Sequence, residues 1–158
     1  MPIYLKYDTI AGGVTAAGHE KWIELGSFQW GVGRGISTAT GGSEDRESSA
    51  PSVSEIVVTK QQDIATIKLL TEALQGEGKK ATIDFVKTDK GQLVVYLSYE
   101  TEQTMISGYS TSSGGDNPSE SLSLNFTKVT VKVTPRNPDG SEGSPETVIY
   151  DLGKATVG

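Results

Sequence analysis

Hydrophobic and polar residues alternate along most of the chain, which is the pattern of β-strands with one buried face. Ile3, Leu5 and Tyr7 show this alternation at the beginning of the sequence. Further strands are predicted within 22–30, 53–59, 81–87, 92–100, 103–110, 120–134 and 146–152. Most of the connections suit antiparallel pairing, so these strands, about eight in all, indicate a mainly β fold.

The segment 120–134 changes its phase. Its apolar residues occupy even positions up to Phe126 and odd positions from Val129 onward. A shift of one residue moves the apolar set to the other face of a strand. We therefore predict a bulge near Thr127 and Lys128, where a long strand turns the corner of a barrel.

One α-helix is predicted at about 63–75. Its first residue, Asp63, is a candidate cap, and glycines follow its end. One face of the helix holds Ile64, Ile67, Leu70 and Leu74, with Leu69 and Ala73 beside it. A single helix is too little to enclose a core, so we expect it to plug or cover a sheet. The predicted fold is a β-barrel of two packed, antiparallel-rich sheets with this one helix.

Residues 31–52 depart from the strand pattern. They are rich in Gly, Ser and Thr and contain the charged cluster Glu44, Asp45, Arg46 and Glu47. A connection of this length without structure of its own is uncommon inside a compact domain, and it is usually functional or disordered. The sequence predicts an extended loop here within a single domain spanning residues 1–158.

Charge and composition exclude several classes of function. The chain has 158 residues, no cysteine and a net charge of −6. The negative charge disfavours nucleic acid and anionic membranes as partners. The absence of cysteine removes disulfides, thiol nucleophiles and zinc–thiolate sites. No apolar run is long enough to insert into a membrane, and the first residues do not resemble a signal peptide.

The sequence offers little catalytic chemistry. His19 is the single histidine, and it has no carboxylate neighbour in sequence, so we expect a structural or solvent-facing role. Pairing Glu24 with Asp84 as hydrolytic carboxylates would require assuming a fold. The glycine-rich stretch 31–35 lacks the features of a phosphate-binding loop. We therefore expect a protein that is not an enzyme and that has no cofactor and no metal site.

Aromatic residues leave one alternative open. Trp22, Phe28 and Trp30 could line a sugar-binding platform in a monomeric, lectin-like binding module. A contribution to an aromatic core is the favoured interpretation.

Several segments, in order along the chain, resemble the haemolysin-coregulated protein (Hcp) family. They are IYLKYD at 3–8, WIEL at 22–25, SFQWG at 27–31, VTK at 58–60 followed by Asp63, ISGYS at 106–110 and ESLSLNF at 120–126. The family-motif core residues within or beside them are Trp22, Glu24, Trp30, Asp63 and Tyr109. The similarity extends from residue 3 to about residue 133.

The resemblance implies a structural role in a bacterial type VI secretion system. Members of the family form a β-barrel with one helix, and six copies close into a ring. The rings stack into a tube, which a contractile sheath drives outward behind a tip spike, and effector proteins can travel in its lumen. The expected location is the bacterial cytoplasm before firing and the extracellular space or a target cell afterwards, without a signal peptide. The chain ends just past its last predicted strand, so no C-terminal effector extension is expected.

The resemblance also assigns a role to the extended loop. Residues 31–52 match in position a family loop that reaches toward neighbouring subunits. On this basis we predict polar contacts between subunits from Arg34, Glu44, Asp45, Arg46 and Glu47. The alternative is that the loop is simply mobile. The strand 53–59 and the apolar run 148–150 could supply further contact beyond the core of one barrel.

Overall fold

The computed structural model describes residues 1–38 and 46–158, with only the backbone of 46–48 considered. These parts of the chain form one helix and fourteen strands. The elements are β1 Ile3–Tyr7, β2 Ile23–Leu25, β3 Ser27–Gln29, β4 Val32–Gly33, β5 Ile36–Thr38, β6 Arg46–Ser48, β7 Ser52–Val53, β8 Ile56–Gln61, α1 Thr66–Gln75, β9 Lys79–Asp89, β10 Gln92–Ser112, β11 Ser119–Asn125, β12 Lys128–Val133, β13 Glu146–Asp151 and β14 Thr156–Val157. The mainly β fold with a single helix is confirmed.

The long strand β10 belongs to both sheets. Its first half pairs with β9 and β12, and its second half pairs with β11. The ladder is irregular between Thr101 and Thr104, where Gln103 adopts a positive φ of 52° and lets the strand bend. One sheet continues from β10 through β9 to β1 and β2 and through β12 to β13 and β14. The other runs from β11 through β8 to β3, and every pairing in both sheets is antiparallel.

The prediction of a closed barrel is wrong. The strand predicted within 22–30 divides at Gly26 into β2, which pairs with β1, and β3, which pairs with β8. The Gly26 N–H donates a hydrogen bond to the Thr59 carbonyl at 2.6 Å. Among the described residues no ladder joins β2 to β8, so chain continuity at this bend connects the two sheets. The architecture is two packed sheets rather than a hydrogen-bonded ring of strands.

The core lies between the two sheets, and the phase shift of 120–134 follows from it. Leu122 and Leu124 on β11 are fully buried, and Val129 on β12 is nearly so. In place of the predicted bulge, the strand breaks after Asn125, and the chain passes from one sheet to the other. Because the two sheets face each other, the break keeps both apolar sets directed into the same core.

Helix α1 packs against the core through a different face from the one predicted. Ala65, just before the helix, and Leu69 are fully buried, whereas Ile64 and Ile67 are each 70% exposed and Leu74 is 77% exposed. Small side chains such as alanine allow a helix to approach a sheet closely, which favours the Ala65 side. Asp63 lies in the turn before the helix, where its Oδ1 accepts the Ala65 N–H at 2.9 Å.

The segment predicted as an extended loop contains regular structure. Strands β4 and β7 pair with each other, and so do β5 and β6, which makes residues 31–38 and 46–53 the two sides of a long antiparallel ribbon that we call the arm. Its base is closed by Ser54, whose N–H donates to the Gly31 carbonyl at 2.9 Å. Residues 31–38 of the arm are all exposed, including Val32 and Ile36.

Candidate subunit interface

An apolar groove of about 220 Å³ lies at the base of the arm. We call it the arm-base groove. It is lined by Trp30, Val32, Pro51, Val53, Val129, Val131, Val148, Tyr150 and Val157. Among the described residues that line the groove none is charged, so this part of the lining offers apolar contact.

The groove exists because one sheet extends beyond the other. In the ladders of β12, β13 and β14, Val131 lies opposite Val148, and Tyr150 lies opposite both Val129 and Val157. These residues therefore share the face that points into the core farther along the sheet. The opposing sheet does not cover this extension, and Val148 and Val157 remain 48% and 72% exposed. An uncovered apolar sheet face of this kind marks a site of interaction.

Trp30 connects the groove to the core. Its ring stands edge-on to Tyr99, with centroids 5.5 Å apart, and Phe28 packs against the same tyrosine. Its buried Nε1 has no hydrogen-bond partner among the described atoms. Trp22 lies elsewhere, against His19 at a centroid distance of 4.5 Å. The two tryptophans therefore do not form one sugar-binding platform.

The residues predicted to contact neighbouring subunits belong to the arm. Arg34 lies exposed between β4 and β5. Arg46 and Glu47 occupy β6, opposite Thr38 and Ser37 of β5. Glu44 and Asp45 lie outside the described residues. The contacts of all five with another subunit remain a prediction.

A cluster of buried polar side chains joins the beginning of α1 to β8 and β11. The Lys60 Nζ lies 2.5 Å from the Glu120 Oε1 and 2.9 Å from the Asp63 Oδ1. The Thr66 hydroxyl donates to the same Glu120 oxygen at 3.1 Å, and the Tyr109 hydroxyl donates to the other. We call these residues the Lys60 cluster. It brings together Asp63 and Tyr109, which the sequence identified as motif residues, but their two charged partners were not recognised as a pair.

The protonation states of Glu120 and Tyr109 in the Lys60 cluster suit the hydrogen bond between them. Burial alone would raise the pKa of Glu120, but the hydrogen bonds from Lys60 and Tyr109, together with the charge of Lys60, outweigh it and lower that pKa. Burial raises the pKa of Tyr109, and its hydrogen bond to Glu120 adds to the shift. Glu120 is therefore ionised and Tyr109 protonated at neutral pH. All these groups are engaged with one another, and the cluster stabilises the fold rather than performing chemistry.

His19 belongs to a second buried polar cluster. Its Nε2 lies 2.9 Å from the Asp84 Oδ2, and the Ser98 hydroxyl donates to the Asp84 Oδ1 at 2.7 Å. The aspartate separates the serine from the histidine, so no nucleophile contacts a base as catalysis by a serine triad requires. The histidine is 6% exposed, and its Nδ1 has no hydrogen-bond partner among the described atoms. The carboxylate partner that is absent from its sequence neighbourhood comes from a strand 65 residues away.

Glu24 and Asp84 lie on two different strands of the same sheet. Both lie opposite Tyr4, on the two strands that flank β1, so about 10 Å and one tyrosine separate them. Asp84 is already engaged by His19 and Ser98.

Over residues 1–38 and 46–158, no group of three or more metal-ligating side chains lies close enough to hold an ion. Within the same ranges, no helix has the length and hydrophobicity to cross a bilayer.

Comparison with known proteins places the chain in a family. The model of the family "Type VI secretion system effector, Hcp" matches residues 4–133. A solved structure described as a type six secretion system protein is 27% identical, with a TM-score of 0.90 and coverage of 99% of both chains. Hcp1 of Salmonella typhimurium is 23% identical, with a TM-score of 0.79 and coverage of 99% of this chain and 97% of that one.

More distant structures share the fold. Hcp3 of Pseudomonas aeruginosa is 19% identical, with a TM-score of 0.65 and coverage of 95% of this chain and 99% of that one. A search of curated proteins gives no match. The family match spans more than four fifths of the sequence, and it favours a secretion-system part over a lectin-like module. The chain therefore belongs to the Hcp family, the tube and effector proteins of type VI secretion systems.

Proposed function

We propose that this protein is the repeating subunit of a type VI secretion tube, in which six copies close into a ring and the rings stack. The observation that carries the proposal is the arm-base groove, an apolar surface that the described residues of the chain leave partly exposed. Burial of such surface is the main favourable term in association. A groove on one face and a projecting arm suit a heterologous contact, in which different surfaces of identical copies meet and the rotation can close a ring.

The arm supplies the polar part of this assembly. We propose that Arg34, Glu44, Asp45, Arg46 and Glu47 contact a neighbouring subunit, where opposite charges set the register of the contact. The contractile sheath and the tip spike are the further partners, and effectors occupy the lumen. The protein assembles in the bacterial cytoplasm and is secreted to the extracellular space or a target cell on firing. Its role is structural and requires no catalytic group.

The oligomeric state tests this proposal directly. Sedimentation velocity at micromolar protein should give a species of about 100 kDa, six copies of a 16.7 kDa chain, and negative-stain electron microscopy should show rings. Purified protein that stays monomeric would contradict the proposal.

A matched pair of variants tests the groove. Val148 lines the groove and is 48% exposed, whereas Val133 on the adjacent strand is 47% exposed and lies outside the lining. Val148→Asp should abolish the rings, because association would bury an unpaired charge. Val133→Asp should leave the rings intact, and circular dichroism should show that both variants fold. Equal effects of the two substitutions would remove the groove from the interface.

A further inference from the structure

Helix α1 exposes a second apolar face. Ile64, Ile67 and Leu74 lie on one side of the helix and are each at least 70% exposed, and we call them the α1 stripe. The opposite side, with Leu69, faces the core. Ile64 lies in the turn before the helix, and Ile67 and Leu74 lie about 10 Å apart along the helix, since it rises 1.5 Å per residue. A helix that is apolar on both faces is typical of one that is covered on both sides in its working state.

The α1 stripe and the arm-base groove have matching chemistry. The stripe is aliphatic, and the described residues that line the groove are apolar apart from the hydroxyl of Tyr150 and the ring N–H of Trp30. Their dimensions also agree, because three adjacent strands, β12 to β14, span about 10 Å, and a helix with its side chains is about 10–12 Å across. In the described part of the arm, Val32 and Ile36 are the exposed large aliphatic residues, and Val32 already lines the groove of its own chain.

One chain cannot bring these two surfaces together. Val53 of the groove precedes β8, and Ile64 of the stripe follows it. The six residues of β8 span about 20 Å, and they separate Val53 of the groove from Ile64 of the stripe. The described residues of one chain leave both surfaces exposed, and a second copy of this chain offers the complementary surface to both.

We propose that the α1 stripe of one copy packs into the arm-base groove of the next copy, head to tail. The inference rests on the proposed function for the existence of a homo-oligomer, and it adds which two surfaces meet. Leucine and isoleucine side chains of the helix fill the groove between Trp30, Val148 and Val157. Each copy uses one stripe and one groove, so every subunit of a ring or of a stack has both surfaces covered.

Engineered cysteines test this contact without interference, because the chain has no cysteine of its own. Ile67→Cys and Val148→Cys are prepared as separate variants, mixed in equal amounts, allowed to exchange subunits and mildly oxidised. A disulfide-linked dimer should form in the mixture and be absent from either variant alone, as judged by non-reducing gel electrophoresis. The control mixture pairs Ile67→Cys with Val133→Cys, whose position is equally exposed outside the groove. We expect at least a tenfold lower yield of dimer there.

Each outcome distinguishes this inference from the proposed function. If electron microscopy shows rings but the cross-linking yield does not exceed that of the control mixture, this inference is overturned. The proposed function as a tube subunit would still hold. A disulfide within the Ile67→Cys variant alone would show that like surfaces meet, which overturns the head-to-tail contact. A monomer at micromolar concentration would overturn both proposals. In the double variant Ile67→Cys/Val148→Cys, a series of disulfide-linked oligomers on the gel would support the contact. The series would end at six copies if the contact joins neighbours within a ring, and it would continue to larger sizes if the contact joins stacked rings.

Discussion

Replacement of Glu120 by glutamine would remove one charge from the Lys60 cluster while nearly preserving the size of the side chain. The Lys60 and Glu120 side chains are 0% and 1% exposed, so solvent does not screen their interaction. Removal of one partner from a buried ion pair costs about 3–5 kcal/mol. Lys60 keeps Asp63 at 2.9 Å, and the amide oxygen of glutamine can still accept a hydrogen bond. We therefore expect a loss of about 3 kcal/mol in the free energy of unfolding, at the lower end of that range.

The pH dependence of this loss follows from the lowered pKa of Glu120. A carboxyl group whose pKa is lower in the folded than in the unfolded state contributes stability above its ordinary pKa, which is 4.5 here. That contribution is lost as the pH falls through the lowered value, where the protonated side chain resembles glutamine. The difference in stability between wild type and Glu120→Gln should therefore be full at pH 7 and narrow progressively below pH 4.5.

Urea unfolding of both proteins at equal concentration, repeated from neutral to acidic pH, measures this difference. Equal concentration matters because subunit association contributes to apparent stability. A loss smaller than about 1 kcal/mol at neutral pH would show that the cluster acts as an ordinary surface ion pair, since such pairs are worth about 0–1 kcal/mol. A difference that does not change with pH would show that the charge of Glu120 is not the source of the effect.

Three further substitutions test the packing. Gly12→Ala should destabilise the fold by about 1–3 kcal/mol in urea unfolding, because its Cβ would lie 2.2 Å from the backbone oxygen of Trp22. Tyr7→Phe should cost about 1–3 kcal/mol, because it leaves the buried Thr104 carbonyl without its hydrogen bond. Burial and the nearby charge of Glu72 raise the pKa of Tyr7 to about 12, so the ultraviolet titration of the variant should lack the tyrosine ionisation near pH 12 and match wild type at lower pH. Leu69→Ala should lower the melting temperature through a loss of about 2–5 kcal/mol, and an effect below 1 kcal/mol would contradict its place in the core.

The strands and the helix could be predicted because their patterns are local. Alternation of apolar and polar residues located most of the strands. The phase change in 120–134 coincides with a break between two strands, where a bulge in one continuous strand was predicted. What a pattern cannot show is which residues meet across the fold. Lys60 and Glu120 are 60 residues apart, and His19 and Asp84 are 65 apart. Their contacts depend on strand register, which single-sequence spacing does not determine.

The helix illustrates how tertiary packing determines which of two apolar faces is buried in the core. Ile64, Ile67 and Leu74 form the more hydrophobic side, and sequence reasoning directed that side inward. Ala65 and Leu69 are the residues buried in the core instead, because the small side chain of Ala65 allows the helix to approach the sheet closely. If the α1 stripe meets a second copy, the hydrophobic pattern reflected burial between subunits as well as within one. A sequence does not distinguish these two kinds of burial.

The arm shows a limit of composition as a guide. Glycine, serine and threonine over 31–52 indicated a loop without regular structure, and the strand pairs β4–β7 and β5–β6 form there nevertheless. Backbone hydrogen bonds across a hairpin do not require apolar side chains, so no periodic signal accompanies them. The predicted contacts of Arg34 and its neighbours depend on another molecule, which the fold of one chain cannot reveal.

The continuity of β10 has a mechanical consequence. Because one unbroken backbone of 21 residues serves both sheets, force applied to either sheet passes to the other along covalent bonds. Side-chain packing alone would let the two layers slip past each other under shear. A component that is thrust rapidly against resistance benefits from such a shared strand. The strand keeps the two sheets together, so that they move as one rigid body and do not separate at the core.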